Sequence, residues 1–192
     1  MTGLPQFWLV RHGETAWSLT RQHTGRSDIP LTKGGEEAAQ RLSERLPTRP
    51  FSQIWSSPSQ RARRTGELAG FSRKIAIVDD LAEWDYGAYE GRTTKEILAD
   101  RPDWMLFRDG CPQGETPDDI TARADRVVER LRASTSDILI FSSAHILRVL
   151  AARWLGLPAA AGALFILDTA SISILGYEHN DAERVIRGWN LA

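Results

Sequence analysis

A chain of 192 residues without a Pro/Gly/Ser-rich linker is expected to fold as one domain, residues 1–192, with a sizeable core. With 24 Lys and Arg against 25 Asp and Glu, the net charge of −1 excludes the global basic field that nucleic acid or an anionic membrane selects. The single cysteine, Cys111, excludes an internal disulfide framework, and no run approaches the ~18 apolar residues of a membrane span.

In chain order, Met1 to Gln6 carries neither a basic stretch nor a long apolar one, so no leader is expected and the cytoplasm is the expected compartment. Phe7-Trp8-Leu9-Val10 is short, aromatic and β-branched, and reads as a buried strand. Thr15 to Pro30 is polar and reads as a loop, followed by a helix over Thr32 to Leu46. Gln53 to Ser56 reads as a second strand, Ser59 to Gly70 as the helix behind it, and Ile75 to Val78 as a third strand. Thr116 is placed as an N-cap, with Pro117 and Asp119 at the first and third helical positions. Ile120, Ala124, Val127, Val128 and Leu131 then fall on one helical face. Ile138 to Phe141 is the most continuous apolar run and is expected to be a central strand buried on both faces. A helix over Ile146 to Leu155 ends at Gly156 and Pro158. Ser171 to Tyr177 and Arg184 to Trp189 resemble two strands joined around His179-Asn180-Asp181. This alternation predicts an α/β fold: a three-layer α/β/α sandwich with a mainly parallel central sheet.

Chemistry-bearing residues gather where the predicted strands end. Arg11-His12-Gly13 follows the first strand, at the edge where open α/β sheets bind ligands. A guanidinium can hold phosphate oxygens, an imidazole nitrogen can attack phosphorus, and glycine lets backbone approach the anion. Ser56-Ser57-Pro58-Ser59-Gln60-Arg61 follows the second strand. Hydroxyls and free N–H groups at a helix start favour an anion that Arg61 can clamp, whereas Arg63 and Arg64 read as a solvated face. The segment from Leu81 to Gly91 holds aromatics, carboxylates and glycines, and its plainest reading is a structured turn. A carboxyl group packed among aromatics also suits the acid and base of a phosphohistidine route. Ser143-Ala144-His145 ends the central strand at the same sheet edge as His12.

Together, Arg11-His12-Gly13-Glu14-Thr15, His23-Thr24-Gly25 with Asp28 and Leu31, Ser57-Pro58 with Arg61-Ala62 and Thr65, and Leu81-x-Glu83 with Gly87 and Glu90-Gly91 carry a resemblance. The chain resembles the histidine phosphatase superfamily, in the branch containing cofactor-dependent phosphoglycerate mutases, from Val10 through Tyr177. The resemblance implies that His12 becomes phosphorylated, that Arg11 and Arg61 bind the phosphate, and that Glu83, at the Leu-x-Glu position, is the proton donor. It also implies substrate contacts from Ser18, Thr24, Gly25, Tyr86 and Ser143, with no metal and no cofactor.

Two departures from the family pattern bear on function. Relatives usually carry a second catalytic histidine followed by glycine, five residues before an arginine of the next helix. Counting back from Arg148 gives Ser143-Ala144, with His145 two residues after Ser143. Alternate residues of an extended segment face one side, so His145 is expected to reach the phosphate as an imidazolium, with the Ser143 hydroxyl beside it. The mutases also carry a long insertion after the acid loop and an asparagine in place of Ser18. Here only Arg92 to Glu115 fills that gap. Glu83-Trp84-Asp85-Tyr86-Gly87 and Asp109 to Thr116 resemble instead the branch of sugar-bisphosphatase-like and broad acid phosphatases. The expectation is a metal-independent phosphatase acting on a small phosphorylated metabolite through a phosphohistidine. A phosphoglycerate mutase and a phosphate-binding pseudoenzyme are the alternatives. Neither nucleic acid nor membrane is an expected partner, and a homodimer is compatible with the sequence.

Overall fold

The computed structural model describes residues 3–47, 50–72 and 75–192; Met1 and Thr2, at the start of the segment expected to hold no leader, lie outside the described residues. The chain runs β1 (Phe7–Arg11), α1 (Ala16–Thr20), α2 (Lys33–Arg45), β2 (Gln53–Ser56), α3 (Gln60–Gly66), β3 (Ile75–Ile77) and α4 (Thr94–Asp100). It continues through α5 (Leu106–Asp109), α6 (Pro117–Arg132), β4 (Ile138–Ser142), α7 (Ala144–Trp154), β5 (Ile172–Tyr177) and β6 (Arg184–Leu191).

The strands form one six-stranded sheet in the order β3-β2-β4-β1-β5-β6. The pairs among β1 to β4 are parallel, and β5 and β6 add antiparallel beside β1, so the sheet is mixed but mostly parallel, as expected. Every residue of β4 is buried, which is why its apolar run is continuous rather than alternating. Its side chains still divide between the faces. Ile138 and Ile140 pack with Val127 and Leu131 of α6 and with Leu147 and Leu150 of α7, whereas Leu139 and Phe141 pack with Leu42 of α2 and Ala62 of α3. Helices therefore seal both faces. A further buried cluster of Trp84, Tyr86, Trp104 and Phe107 packs against Ile146 and Val149 of α7, under the loop that carries Glu83.

Several boundaries depart from the sequence reading. Residues 15–30 are not all loop: Thr15 and Ser18 close a capping box that starts the five-residue α1, too short for any periodicity to register. The helix after β4 begins at Ala144, two residues before the expected start, with Ser143 as an N-cap whose own side chain makes no capping bond. The helix expected over Ser59 to Gly70 is regular only from Gln60 to Gly66; it then widens into a π-type turn to Phe71, with Gly70 at φ 95°. The stretch Arg92 to Glu115 holds α4 and α5, which the sequence reading missed, although Thr93-x-x-Glu96 is the capping box that starts α4. Thr116, Pro117 and Asp119 form the expected capping box of α6. No helix among the described residues is long and apolar enough to cross a membrane.

Candidate active site

Strand register places the site. Parallel pairing sets Arg11 opposite Ser142, and the His12 N–H extends the ladder by donating to the Ser142 carbonyl at 2.9 Å. His12 thus leaves the sheet edge beside Ser143. The Gly13 N–H donates to Thr65 Oγ1 at 3.0 Å, tying the turn to α3. A Cβ on Gly13 would lie 2.5 Å from the Gly35 carbonyl oxygen, so only glycine lets α2 cross this close.

His12 is 5% exposed, and its Nδ1 lies 2.7 Å from the Gly13 carbonyl. A carbonyl only accepts, so Nδ1 carries the proton and Nε2 keeps its lone pair. Burial, then the Arg11 and Arg61 charges, hold the imidazole pKa well below its usual value and keep the ring neutral. Both arginines are fixed from behind. Arg11 Nη1 donates to the Leu167 carbonyl at 2.6 Å. Arg61 gives its Nη groups to the carbonyls of Ser27, Thr24 and Gly25 at 2.9, 2.9 and 3.1 Å. The Nε of each guanidinium and the Ser143 hydroxyl are buried donors without a partner among the described residues. Buried donors of this kind fit an anion, since leaving them unpaired carries a desolvation cost.

The loop carrying Arg61's acceptors is itself ordered by a carboxylate. Glu90 accepts from the N–H groups of Gly25 and Ser27 at 2.9 and 3.0 Å. The start of α3, read from sequence as an anion site, is already filled: Gln60 N–H donates to Asp28 Oδ1 at 2.8 Å. Arg61 lies in the first turn of that helix, whose leading N–H is thus already taken. Arg64 pairs with Glu36 and Glu67 on the surface, in line with a solvated face.

Glu83 faces the N-terminus of α7. Its Oε2 accepts the His145 N–H at 3.0 Å, and its Oε1 accepts the N–H groups of Ile146 at 2.9 Å and Trp84 at 2.8 Å. A carboxylate across a helix start supplies the cap that Ser143 does not. Tyr86 is buried, and among the described residues its hydroxyl meets one side-chain partner, His145 Nδ1, 2.5 Å away. The phenolic hydrogen has no other use, so Tyr86 donates and His145 keeps its proton on Nε2. Burial, then Arg148, His23 and Arg11, lower the His145 pKa well below its usual value. The expected imidazolium is thus a neutral imidazole, and Glu83 Oε2, 3.8 Å from Nδ1, forms no ion pair with it. Nor does the extended-segment argument hold, because residues 144 and 145 are helical; the first turn of α7 is what brings His145 to the cavity.

Arg11, His12, Glu83 and His145 line one cavity of about 650 Å³, and so do Ser18, Thr24 and Tyr86. Arg61 and Ser143 are not among its lining residues. The Ser18 hydroxyl is engaged in the α1 capping box, accepting from Thr15 N–H at 2.8 Å. Gly25 opens instead on a neighbouring cavity of about 330 Å³ that shares Glu83, and its N–H is held by Glu90.

A family model described as the histidine phosphatase superfamily (branch 1) matches residues 7–191. The chain belongs to the histidine phosphatase superfamily. It is 40% identical over 186 residues to an acid phosphatase of Mycobacterium tuberculosis, covering 94% of this chain and 90% of that protein. It is 36% identical to the sedoheptulose 1,7-bisphosphatase of Saccharomyces cerevisiae, covering 80% of this chain and 68% of that one. The solved structure of the open reading frame Rv3214 from Mycobacterium tuberculosis superposes with a TM-score of 0.92 at 38% identity, covering 98% of both chains.

Other residues of this histidine phosphatase reach the cavity without having been given a role from sequence. His23, which lay inside a recognised motif, stacks on Tyr86 at 4.6 Å, and burial lowers its pKa to about 4. Arg148, used only to count spacing, lines the cavity with its guanidinium 4.7 Å from the Phe107 ring. Asp168 comes from a segment with no motif, and only the tertiary fold brings it near Arg11. Among the described residues, Glu178, His179 and Glu183 are the group whose ligand atoms lie close enough, within 4.8 Å, to hold a metal ion. They are exposed at the β5–β6 turn and do not line this cavity.

Proposed function

We propose that this histidine phosphatase hydrolyses small phosphate monoesters through a phosphohistidine on His12, without a metal. The observation that carries the reading is the protonation pattern of His12: Nδ1 spent on Gly13, Nε2 free, and the ring held neutral between two arginines. Nε2 attacks phosphorus while the bond to the ester oxygen breaks, and Arg11 and Arg61 offset charge on the equatorial oxygens. Glu83, entering the step as the carboxylic acid, passes its proton to the departing alcohol oxygen and is left as the carboxylate. Its carboxylate then takes a proton from the attacking water as the P–N bond breaks, releasing phosphate and restoring both residues. The neutral His145 donates from Nε2 to the phosphoryl oxygens, and Tyr86 orients it. Ser18 and Thr24 contact the leaving group; Gly25 acts through Arg61, and Ser143 offers its hydroxyl to the phosphate.

Hydrolysis is favoured over phosphate transfer to a second acceptor by the relatives named acid phosphatase and bisphosphatase. The reading takes residues 1–192 as one domain, supported by a single sheet whose strands run from Phe7 to Leu191. A cytoplasmic location is part of it, supported by a lone cysteine that leaves no internal disulfide to form. The test is a rapid quench with phosphorus-labelled p-nitrophenyl phosphate. Acid-labile, base-stable label on the wild type and none on His12→Ala is the expected result; equal label on both proteins overturns the assignment.

A further inference from the structure

Glu83 lies on an irregular loop, so something outside the loop must hold its backbone. Arg123, in the second turn of α6, reaches across to do so. Its Nη1 donates to the carbonyls of Asp80 at 2.7 Å and Ala82 at 3.0 Å, and its Nη2 points to the carbonyl of Glu83 itself at 3.4 Å. The same guanidinium makes a two-pronged pair with Glu115, Nε to Oε1 at 2.6 Å and Nη2 to Oε2 at 2.7 Å. Glu115 then secures the far side of the loop. Its Oε2 accepts the Asp85 N–H at 2.9 Å, its own N–H donates to the Asp85 carbonyl at 2.9 Å, and its carbonyl accepts the Trp84 indole N–H at 3.0 Å. Both partners are largely buried, with side chains 14% and 18% exposed, so this is not a solvated surface pair.

We propose that Arg123, with Glu115, is a positioning residue for the proton-transfer step: it sets the backbone from Asp80 to Asp85 so that the Glu83 carboxyl meets the leaving oxygen. The inference rests on the acid role given to Glu83 above. The carboxyl end of Glu83 is fixed by α7, while its backbone is fixed by α6, so the two helices together determine where the proton is delivered. The planar fork is essential, because one guanidinium serves three carbonyls and a carboxylate at once; an ammonium carries three donors on a flexible stem and does not reproduce that geometry. A misplacement of about 1 Å caused from a distance costs on the order of 10² in rate.

The test compares kcat/KM for glycerol phosphate, whose alkoxide leaves poorly, with p-nitrophenyl phosphate, whose phenolate leaves without a proton. Arg123→Gln is expected to lose roughly 10²-fold on glycerol phosphate and several-fold at most on p-nitrophenyl phosphate. In a Glu83→Gln background the same substitution should change glycerol phosphate turnover little, because the step it supports is already gone. Arg123→Lys, which lacks the fork, is expected to show the same pattern at nearly the same size and Glu115→Gln in milder form, and they carry the comparison if Arg123→Gln does not fold. Equal losses on both substrates, full multiplication with Glu83→Gln, or an undiminished glycerol phosphate rate would each overturn the positioning role. A wild-type protein inactive on every phosphate monoester would instead overturn the proposed hydrolysis.

Discussion

Tyr86 donates to His145 across 2.5 Å, and this one bond decides which imidazole nitrogen of the second histidine is a donor. With Nδ1 occupied as an acceptor, Nε2 carries the hydrogen at any pH at which the ring is neutral. The arrangement mirrors His12, where the Gly13 carbonyl puts the hydrogen on Nδ1 and frees Nε2. One ring thus keeps a bare Nε2 and the other a hydrogen on Nε2, the two states that the proposed mechanism uses for attack and for donation.

His145→Ala removes a preorganised donor and should lower kcat/KM by about 10²–10³, while Ser143→Ala loses far less. Tyr86→Phe keeps the ring but releases the tautomer, and roughly a tenfold loss is expected, equivalent to the ~1.4 kcal/mol typical of a single hydrogen bond. The α7 cap is made by Glu83 and not by the imidazole, so the melting temperature of His145→Ala should fall only modestly. A normal rate in His145→Ala would remove it from the site.

Glu83→Gln should destabilise as well as inactivate. The carboxylate accepts three backbone N–H groups, and an amide NH₂ must be turned toward at least one of them. An unmatched buried donor costs about 1–3 kcal/mol, a drop in Tm of about 2–12 °C for a chain of this size. Calorimetry reads this independently of activity, and an unchanged Tm would mean the carboxylate does not hold the helix.

Acid should unfold the protein through three histidines, His12 and His23 buried and His145 half-buried. His12, His23 and His145 are all held neutral by burial, with pKa values lowered from 6.5, His23 to about 4. Below pH 6.5 the unfolded chain therefore binds more protons than the folded one. Stability is fully present above that value and is lost as the pH falls through it toward 4, by about 1.4 kcal/mol per pH unit for each histidine. Urea midpoints from pH 7 to 4 should show this slope, and His23→Gln should flatten it. The same shift keeps Nε2 of His12 unprotonated, so kcat/KM should show no acid limb at pH 6.5.

Gly13→Ala places a methyl 2.5 Å from backbone of α2, which has no flexible end to yield. A cost of about 1–3 kcal/mol is expected, together with displacement of His12 and a fall in kcat. Gly3→Ala, with nothing within 4 Å, is the matched control and should be silent in both measurements.

The parts of the fold legible in the sequence were those with strong local chemistry. The run Ile138 to Phe141 marked the central strand because a strand covered on both faces has no polar side to interrupt it. Thr116-Pro117 marked the start of α6 because capping is decided within four residues. Histidine phosphatase membership rested on short motifs whose residues lie far apart in the chain, and these were legible too. What escaped was set by contacts distant in sequence. The neutrality of His145 depends on its burial and on Arg148, His23 and Arg11, which no spacing announces. The capping of α7 by Glu83 joins residues 62 and 63 apart. Asp28 filling the start of α3 likewise spans 32 residues and reverses a local reading that was sound in isolation.

The amides of His145 and Ile146 are covered by the carboxyl group of Glu83. Solvent deuterium reaches a hydrogen-bonded amide only when the bond opens, so uptake at these two positions times the departures of Glu83 from α7. Two backbone hydrogens therefore report on the proposed acid of this phosphatase with no substrate present. Their exchange, followed residue by residue, separates swings of one side chain from unfolding of the whole sheet.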